Sequence, residues 1–107
     1  MMRQFTATQV HEYVQKAATP PLLLDVREPH EVAICAIAGS VNIPLGQIST
    51  AWETLDPNRE IVLICHHGIR SMQAGLFLEQ QGFEHLINLT GGINAWAQAV
   101  EPAMARY

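Results

Sequence analysis

The sequence is poor in charged residues and contains no long apolar run. Charged residues make up 15% of the chain, and its net charge of −4 leaves no basic surface for nucleic acid or an anionic membrane. No apolar run approaches the roughly 18 residues of a membrane span, and the first residues lack the apolar stretch of a secretory signal. We therefore expect a cytoplasmic protein that binds neither nucleic acid nor a membrane.

Cysteine is also scarce, since only Cys35 and Cys65 occur. A structural disulfide between them is not expected in the cytoplasm. Two thiols fall short of a zinc site, and the adjacent His66 and His67 lack the usual spacing of metal ligands. We expect no metal ion and no cofactor.

The rest of the composition is that of a folded protein. Apolar residues make up 49% of the 107 residues, which is enough for a core, but the chain is too short for two domains. We expect a single domain over residues 1–107, with its core within about residues 4–100.

Short apolar runs alternate with helical patterns along the chain. The predicted strands are 4–6, 22–26, 40–43, 61–64 and 85–89, and the predicted helices are 8–17, 29–35, a short one within 45–55, 72–81 and 94–100. This alternation predicts an α/β fold with a mostly parallel five-stranded sheet and helices on both faces. We expect Thr8 and Ser71 to cap the first and fourth of these helices, and residues 102–107 to fray.

The most informative stretch joins the fourth strand to the next helix. Cys65 ends the strand, and five residues lead from it to the expected cap, namely His66, His67, Gly68, Ile69 and Arg70. A helix start carries unpaired N–H groups and a partial positive charge, and a glycine lets the loop turn its N–H groups toward one centre. With the cation of Arg70, these groups favour the thiolate of Cys65 and the binding of an anionic substrate.

The alternative is that Cys65 is an inert core residue, as many cysteines at strand ends are. An inert thiol, however, has no use for two histidines, a glycine and an arginine directly after it. Asp25 also ends an apolar strand and must find hydrogen-bond donors. It can bind the backbone of the next turn or support the Cys65 loop from beneath, and the two roles are compatible.

Four motifs occur in order along the chain. They are LDVREP at 24–29 followed by Glu31, NIP at 42–44, CHHGIRS at 65–71 and LTGGINAW at 89–96. Together they resemble the rhodanese-like sulfurtransferases, specifically the small single-domain bacterial form. The chain departs from the family pattern at 35–39, where CAIAG replaces the common Gly-His-Ile-Pro-Gly and adds a second thiol.

The resemblance implies a role for each residue of the loop. Cys65 would be the nucleophile that forms a persulfide. Substrate would bind His66, His67, Gly68, Ile69 and Arg70, with Asp25, Arg27 and Ser71 in support. The implied reaction moves sulfane sulfur from thiosulfate or a related small anion to cyanide or a thiol.

Two other activities stay open. A cysteine phosphatase would place five residues between its cysteine and arginine, whereas four separate Cys65 from Arg70, and this shorter loop suits sulfur better than a phosphoryl group. A persulfide carrier or relay would be loaded by a sulfur-donating protein, or would pass sulfur to an accepting one. The loop residues alone do not separate a relay from an enzyme.

Overall fold

The computed structural model describes residues 2–107, and a five-stranded sheet forms their centre. The strands are β1 Arg3–Phe5, β2 Leu22–Asp25, β3 Val41–Asn42, β4 Ile61–Ile64 and β5 Leu86–Leu89. All neighbouring strands run parallel, in the order β1-β5-β4-β2-β3. The predicted parallel sheet is confirmed, and the strand before Cys65 is its central one.

Five α-helices connect or follow the strands. They are α1 Ala7–Lys16, α2 Pro29–Ile34, α3 Ile48–Ala51, α4 Ile69–Gln80 and α5 Gly92–Ala99. Short 3-10 segments, Leu45–Gln47 and Trp52–Thr54, flank α3, so the short helix predicted within 45–55 is three brief helical turns. Within residues 2–107, no helix has the length and apolar character needed to cross a membrane.

The central strand is buried on both faces. Ile61 and Leu63 belong to the core cluster that includes buried residues of α4, whereas Val62 and Ile64 belong to the cluster that includes buried residues of α1 and α5. This alternation follows from the two-residue period of a strand. Because helices cover both faces, all four side chains of β4 are apolar, as is typical of a parallel sheet.

The expected cap of the first helix is wrong. Thr6, not Thr8, is the N-cap of α1, because its side chain accepts the Gln9 N–H at 3.2 Å. The Gln9 side chain in turn accepts the Thr6 N–H at 2.8 Å. This reciprocal pair needs Gln or Glu three residues after the cap, and only Thr6 has that spacing.

Parallel strands bring their carboxyl ends to one edge of the sheet, where ligands of such sheets bind. Cys65 follows the end of β4 there, and Asp25 ends the neighbouring strand β2. The loop that leads from β5 into α5 starts at the same edge. The candidate residues therefore meet where three adjacent strands end.

Candidate active site

The loop after β4 holds the sulfur of Cys65 against a backbone amide. The Gly68 N–H donates to the Cys65 Sγ at a donor–acceptor distance of 2.9 Å. Gly68 is the N-cap of α4 and has φ of +108°, a conformation that L side chains rarely adopt. The glycine therefore lets the chain turn from strand into helix while its amide faces the thiol.

The first residues of α5 donate hydrogen bonds to the backbone of the same loop. The Ile93 N–H donates to the Cys65 carbonyl at 2.8 Å, and the Asn94 N–H donates to the His66 carbonyl at 3.1 Å. These are first-turn N–H groups, which have no partner within their own helix. Gly92 permits this close approach, because a Cβ there would lie 2.5 Å from the Cys65 carbonyl oxygen.

Ser71 contacts the sulfur rather than capping the helix, so the predicted cap is wrong. Gly68 is the N-cap, and Ser71 is the third residue of α4 and fully buried. Its Oγ lies 3.3 Å from the Cys65 Sγ and donates to the Asn88 Oδ1 at 2.5 Å. Helix α4 starts earlier than predicted because a left-handed glycine, not a side-chain oxygen, ends the loop.

Arg70 is paired with a carboxylate. Its guanidinium donates to both Glu31 oxygens, at 2.5 and 2.8 Å. These hydrogen bonds hold the pKa of Glu31 well below its usual range, against the opposing effect of burial. They are also the largest cause that raises the pKa of Arg70. Glu31 therefore already balances the charge of Arg70.

Asp25 and Arg27 form a buried pair beside the loop. Asp25 accepts the Arg27 backbone N–H at 3.1 Å and binds its guanidinium at 2.7 to 3.1 Å. The predicted backbone role of Asp25 is confirmed. Arg27 also donates to the Cys35 carbonyl at 2.7 Å. Burial alone would lower the pKa of Arg27, but the hydrogen bonds to Asp25 and Tyr107 and the charges of those two groups together outweigh burial and raise that pKa.

The other predicted loop residues occupy different environments. The His66 and His67 rings lie 4.0 Å apart, and burial, with repulsion from His67, lowers the pKa of His66. Ile69 begins α4 and is 72% exposed. The loop therefore presents one histidine partly inside the site, while His67 and Ile69 face outward.

The tail does not fray, so that expectation is wrong. Tyr107 stacks on the His66 ring, with centroids 4.0 Å apart. Its hydroxyl accepts from the Arg27 Nη1 and donates to the Glu31 Oε2, both at 2.9 Å. Burial raises the pKa of Tyr107, so its phenol stays protonated and can donate at neutral pH.

The second thiol lies near this network. Cys35 is the C-cap residue directly after α2, and its Sγ lies 3.9 Å from the Arg27 Nη1. Both cysteines are free thiols. Among residues 2–107, no group of three or more His, Cys, Asp or Glu side chains has the geometry of a metal site.

Comparisons with known proteins assign the family. The rhodanese-like domain profile matches residues 6–99. "Putative sulfurtransferase YtwF" of Bacillus subtilis is 44% identical over 80 residues, which cover 75% of this chain and 77% of that protein. "Sulfurtransferase" of Allochromatium vinosum is 38% identical over 84 residues, or 78% of each chain. The crystal structure of a rhodanese-related protein from Thermoplasma volcanium has a TM-score of 0.83 at 34% identity, covering 94% of this chain and 95% of that one.

This chain belongs to the rhodanese-like domain family. Some members that it matches are longer. The matched region is 36% of "Rhodanese-like/PpiC domain-containing protein 12, chloroplastic" from Arabidopsis thaliana, which is 37% identical over 109 residues. For "Putative sulfur carrier protein YrkF" from B. subtilis, which is 40% identical over 79 residues, the matched region is 43% of that protein. The relatives of this rhodanese-like domain thus include proteins named as sulfurtransferases and as a sulfur carrier.

Three residues of the site were not predicted from the sequence as part of it. Glu31 was recognised only as part of a motif, and its ion pair with Arg70 spans 39 positions. Asn88 carried a usable signal, because it is a polar residue within the apolar strand β5. Tyr107 carried no local signal, since nothing in residues 102–107 indicates a contact with the loop after β4.

The arrangement in this rhodanese-like domain suits nucleophilic chemistry by sulfur. A fixed amide donor and a hydroxyl lie beside the thiol, and both can stabilise negative charge on it. Carboxylates of the site are tied to arginines, so no described carboxylate is positioned as a proton donor to a leaving group. The site therefore favours reactions whose leaving group departs as an anion.

Proposed function

We propose that this protein is a sulfurtransferase that acts as a single domain through a persulfide on Cys65. The observation that carries the proposal is the sulfur itself, at the carboxyl end of the central strand with the Gly68 amide 2.9 Å away. An amide aimed at a charged sulfur stabilises the thiolate before reaction and the persulfide anion after it. Membership of the rhodanese-like family supports the same chemistry.

The reaction has two displacement steps. In the first, the Cys65 thiolate attacks the outer sulfur of thiosulfate, a bond forms between the two sulfurs, and the donor S–S bond breaks. Its electron pair leaves with sulfite, so the charge balances and no proton is needed. In the second, cyanide or a thiolate attacks the terminal sulfur of the persulfide and releases the Cys65 thiolate, giving thiocyanate or a new persulfide.

The other residues support these steps. Gly68 and Ser71 stabilise charge on sulfur, and Arg70, whose charge Glu31 partly offsets, attracts the anionic donor weakly. Arg27 and Asp25 form a buried ion pair beside the loop. His66 lines the entrance and stays neutral near neutral pH, because its pKa is lowered by burial and by His67. In comparable anion-stabilising sites, one lost donor costs about 2.7 to 4 kcal/mol.

The test compares the two cysteines by substitution. We expect Cys65→Ser to abolish transfer of sulfur from thiosulfate to cyanide, because an alcohol cannot form the persulfide. Cys35→Ser is the matched control and should retain the activity. Retained activity in Cys65→Ser, or activity lost only in Cys35→Ser, would overturn the proposal.

A second candidate is a persulfide relay loaded by another protein. The Glu31–Arg70 pair favours it, because a balanced arginine attracts a small dianion less than a free one. Incubation with a cysteine desulfurase, followed by intact-mass measurement, separates the two functions. Rapid loading from the desulfurase with slow loading from thiosulfate supports the relay, and the opposite order supports the enzyme.

A further inference from the structure

A chain of polar side chains runs along the face of the sheet that α4 covers, and it ends at the sulfur of Cys65. The Ser71 Oγ lies 3.3 Å from the Cys65 Sγ and donates to the Asn88 Oδ1 at 2.5 Å. The Asn88 Nδ2 in turn donates to the Gln4 Oε1 at 2.8 Å. Gln4 and Asn88 are register partners on β1 and β5, which places both side chains on one face of the sheet.

Burial makes the inner part of this chain a closed set of hydrogen bonds. Ser71 is fully buried, and Asn88 is 3% exposed within the apolar strand β5. Among residues 2–107, no buried side-chain nitrogen or oxygen lacks a hydrogen-bond partner. Because a buried polar atom without a partner is unfavourable, each member of the chain determines which atoms its neighbour turns toward it.

The direction of the chain is set at its outer end by a thioether. The Gln4 Nε2 donates to the Met72 Sδ at 2.8 Å. A thioether sulfur only accepts, so the Gln4 amide turns its nitrogen toward Met72 and its oxygen toward Asn88. The Thr90 hydroxyl donates to the same Gln4 oxygen at 3.3 Å. The Asn88 amide must then turn its nitrogen to Gln4, which leaves its oxygen facing Ser71.

This direction decides what the Ser71 hydroxyl offers to the sulfur. Its one proton goes to Asn88, so its lone pairs face the Cys65 thiol, whose S–H can donate to them. A hydroxyl that accepts favours the thiol, whereas the Gly68 amide favours the thiolate. We propose that Asn88 is a positioning residue of the active site, which holds the Ser71 proton away from Cys65 and thereby limits the reactivity of the thiol.

The thiolate has to compete with Asn88 for this proton. When Cys65 is charged, the Ser71 hydroxyl stabilises it only by leaving the Asn88 oxygen without its donor. Part of the free energy gained at the sulfur is therefore lost at the amide. The inference rests on the proposed function in taking Cys65 as the reacting thiol, but no step of sulfur transfer enters it.

The test measures the alkylation of Cys65 by iodoacetamide across pH, in a Cys35→Ser background. Asn88→Leu removes the competing oxygen, so the Ser71 hydroxyl is free to donate to the sulfur. We expect the midpoint of the pH–rate profile to fall by about one pH unit, as one hydrogen bond to a charged group gives. Below the midpoint the rate should rise by about threefold, because the lower nucleophilicity of the thiolate offsets part of its larger population.

A double-mutant cycle separates positioning from a merely structural role of Asn88. In a Ser71→Ala background, Asn88→Leu should leave the midpoint unchanged, since no hydroxyl remains for it to release. A shift that depends on Ser71 therefore reports its hydroxyl. The charged and titratable groups near the loop are the same in every variant, namely Asp25, Arg27, Glu31, His66, His67 and Arg70.

A second variant tests the chain from its exposed end. Gln4→Leu leaves the buried residues intact but no longer fixes the Asn88 amide, so the midpoint should fall by a smaller amount, about half a pH unit. Gln73→Leu, the same change on the exposed surface of α4, is the matched control and should leave the midpoint unchanged. If Asn88→Leu does not fold, the comparison of these two variants decides.

Three results would overturn the proposal. They are an Asn88→Leu midpoint equal to or above that of the parent, a fall that persists in the Ser71→Ala background, and a Gln4→Leu midpoint equal to that of Gln73→Leu. Failure of the proposed function looks different. In that case thiosulfate adds no sulfur to Cys65 of the parent, while the alkylation profiles still report where the Ser71 proton lies.

Discussion

At the scale of single residues, the sulfur of Cys65 has two polar neighbours of different kinds. The Gly68 amide is a fixed hydrogen-bond donor to the sulfur. The Ser71 hydroxyl has one proton to donate and two possible acceptors, the Cys65 Sγ and the Asn88 Oδ1. In the structure that proton goes to the Asn88 Oδ1. The Asn88 amide is itself held by Gln4, whose Oε1 accepts from the Nδ2 at 2.8 Å. The hydroxyl can therefore turn from Asn88 to the sulfur when the sulfur becomes charged.

Replacing Ser71 with alanine should slow the reactions of the thiolate. A hydrogen bond to a charged group contributes about 1.5 to 3 kcal/mol, so we expect the Cys65 alkylation rate to fall by about tenfold or more. The measurement is the iodoacetamide rate at neutral pH in a Cys35→Ser background. Ser49→Ala, on the exposed surface of α3, is the control. An unchanged rate in Ser71→Ala would show that the hydroxyl does not assist the sulfur.

The sequence predicted the residues of the loop but not their partners. Cys65, Gly68 and Arg70 follow one another in a local pattern, so their proximity could be inferred. Glu31 binds Arg70 across 39 positions, and Tyr107 binds Glu31 across 76. Such contacts depend on how the elements pack. For this reason Arg70 was predicted as a cation of the loop, but its ion pair with Glu31 was not predicted.

At the scale of elements, the Cys65 loop lies between the starts of two helices. Helix α4 begins at the loop itself, and α5 donates two N–H groups to its carbonyls. The predicted start of α4 was late because serine is the commoner cap, and local propensity does not show that Gly68 adopts a left-handed conformation. The positions of these two helix starts determine the shape of the loop.

Gly92→Ala should separate α5 from the loop. The new Cβ would overlap the carbonyl oxygens of Cys65 and His66, which are backbone atoms with little freedom to move. Gly82→Ala is the matched control, because Gly82 also has positive φ but has no atom within 4 Å of the added Cβ. Left-handed strain of about 1 to 3 kcal/mol is common to both variants.

The two glycine variants should therefore differ in both stability and activity. We expect Gly92→Ala to lose about 1 to 3 kcal/mol more unfolding free energy than Gly82→Ala, as overpacked sites do. It should also lose sulfur transfer, while Gly82→Ala keeps it. Urea denaturation and the thiosulfate–cyanide assay measure the two effects. Equal behaviour of the variants would contradict the assigned role of α5.

At the scale of the whole molecule, the architecture was the most predictable feature. Alternating strands and helices indicated a parallel sheet with helices on both faces, and each apolar run became a strand because its pattern is local. The position of residues 101–107 was not predictable, because no periodic pattern marks it. The ion pair between Glu31 of α2 and Arg70 of α4 also appeared only in the fold, and it links stability to pH.

Glu31→Gln should reduce stability at neutral pH but not in acid. The pKa of Glu31 in the folded protein lies well below its ordinary value of 4.5, mainly because of Arg70. Above about pH 4.5 the Glu31 carboxylate is ionised in both the folded and the unfolded chain, and the ion pair stabilises the fold fully. As the pH falls below about 4.5, Glu31 of the unfolded chain is protonated first, so this stabilisation is progressively lost.

At neutral pH, we expect the unfolding free energy of the wild type to exceed that of Glu31→Gln by about 1 to 2 kcal/mol. This range is lower than for a fully buried ion pair, because solvent screens the one-third exposed side chain of Arg70. The difference should shrink below about pH 4.5. Denaturation curves across this range test it, with the exposed Glu84→Gln as the control. A difference independent of pH would contradict the ion-pair account.

The central claim is that Cys65 carries the transferred sulfur, and a mass measurement tests it most directly. The protein is treated with thiosulfate or cysteine persulfide, its intact mass is measured, and the modified residue is mapped by peptide fragmentation. The account predicts a gain of about 32 Da, the mass of one sulfur atom, located on Cys65 and removed by cyanide. A sulfur found on Cys35 alone, or no gain with either donor, would contradict it.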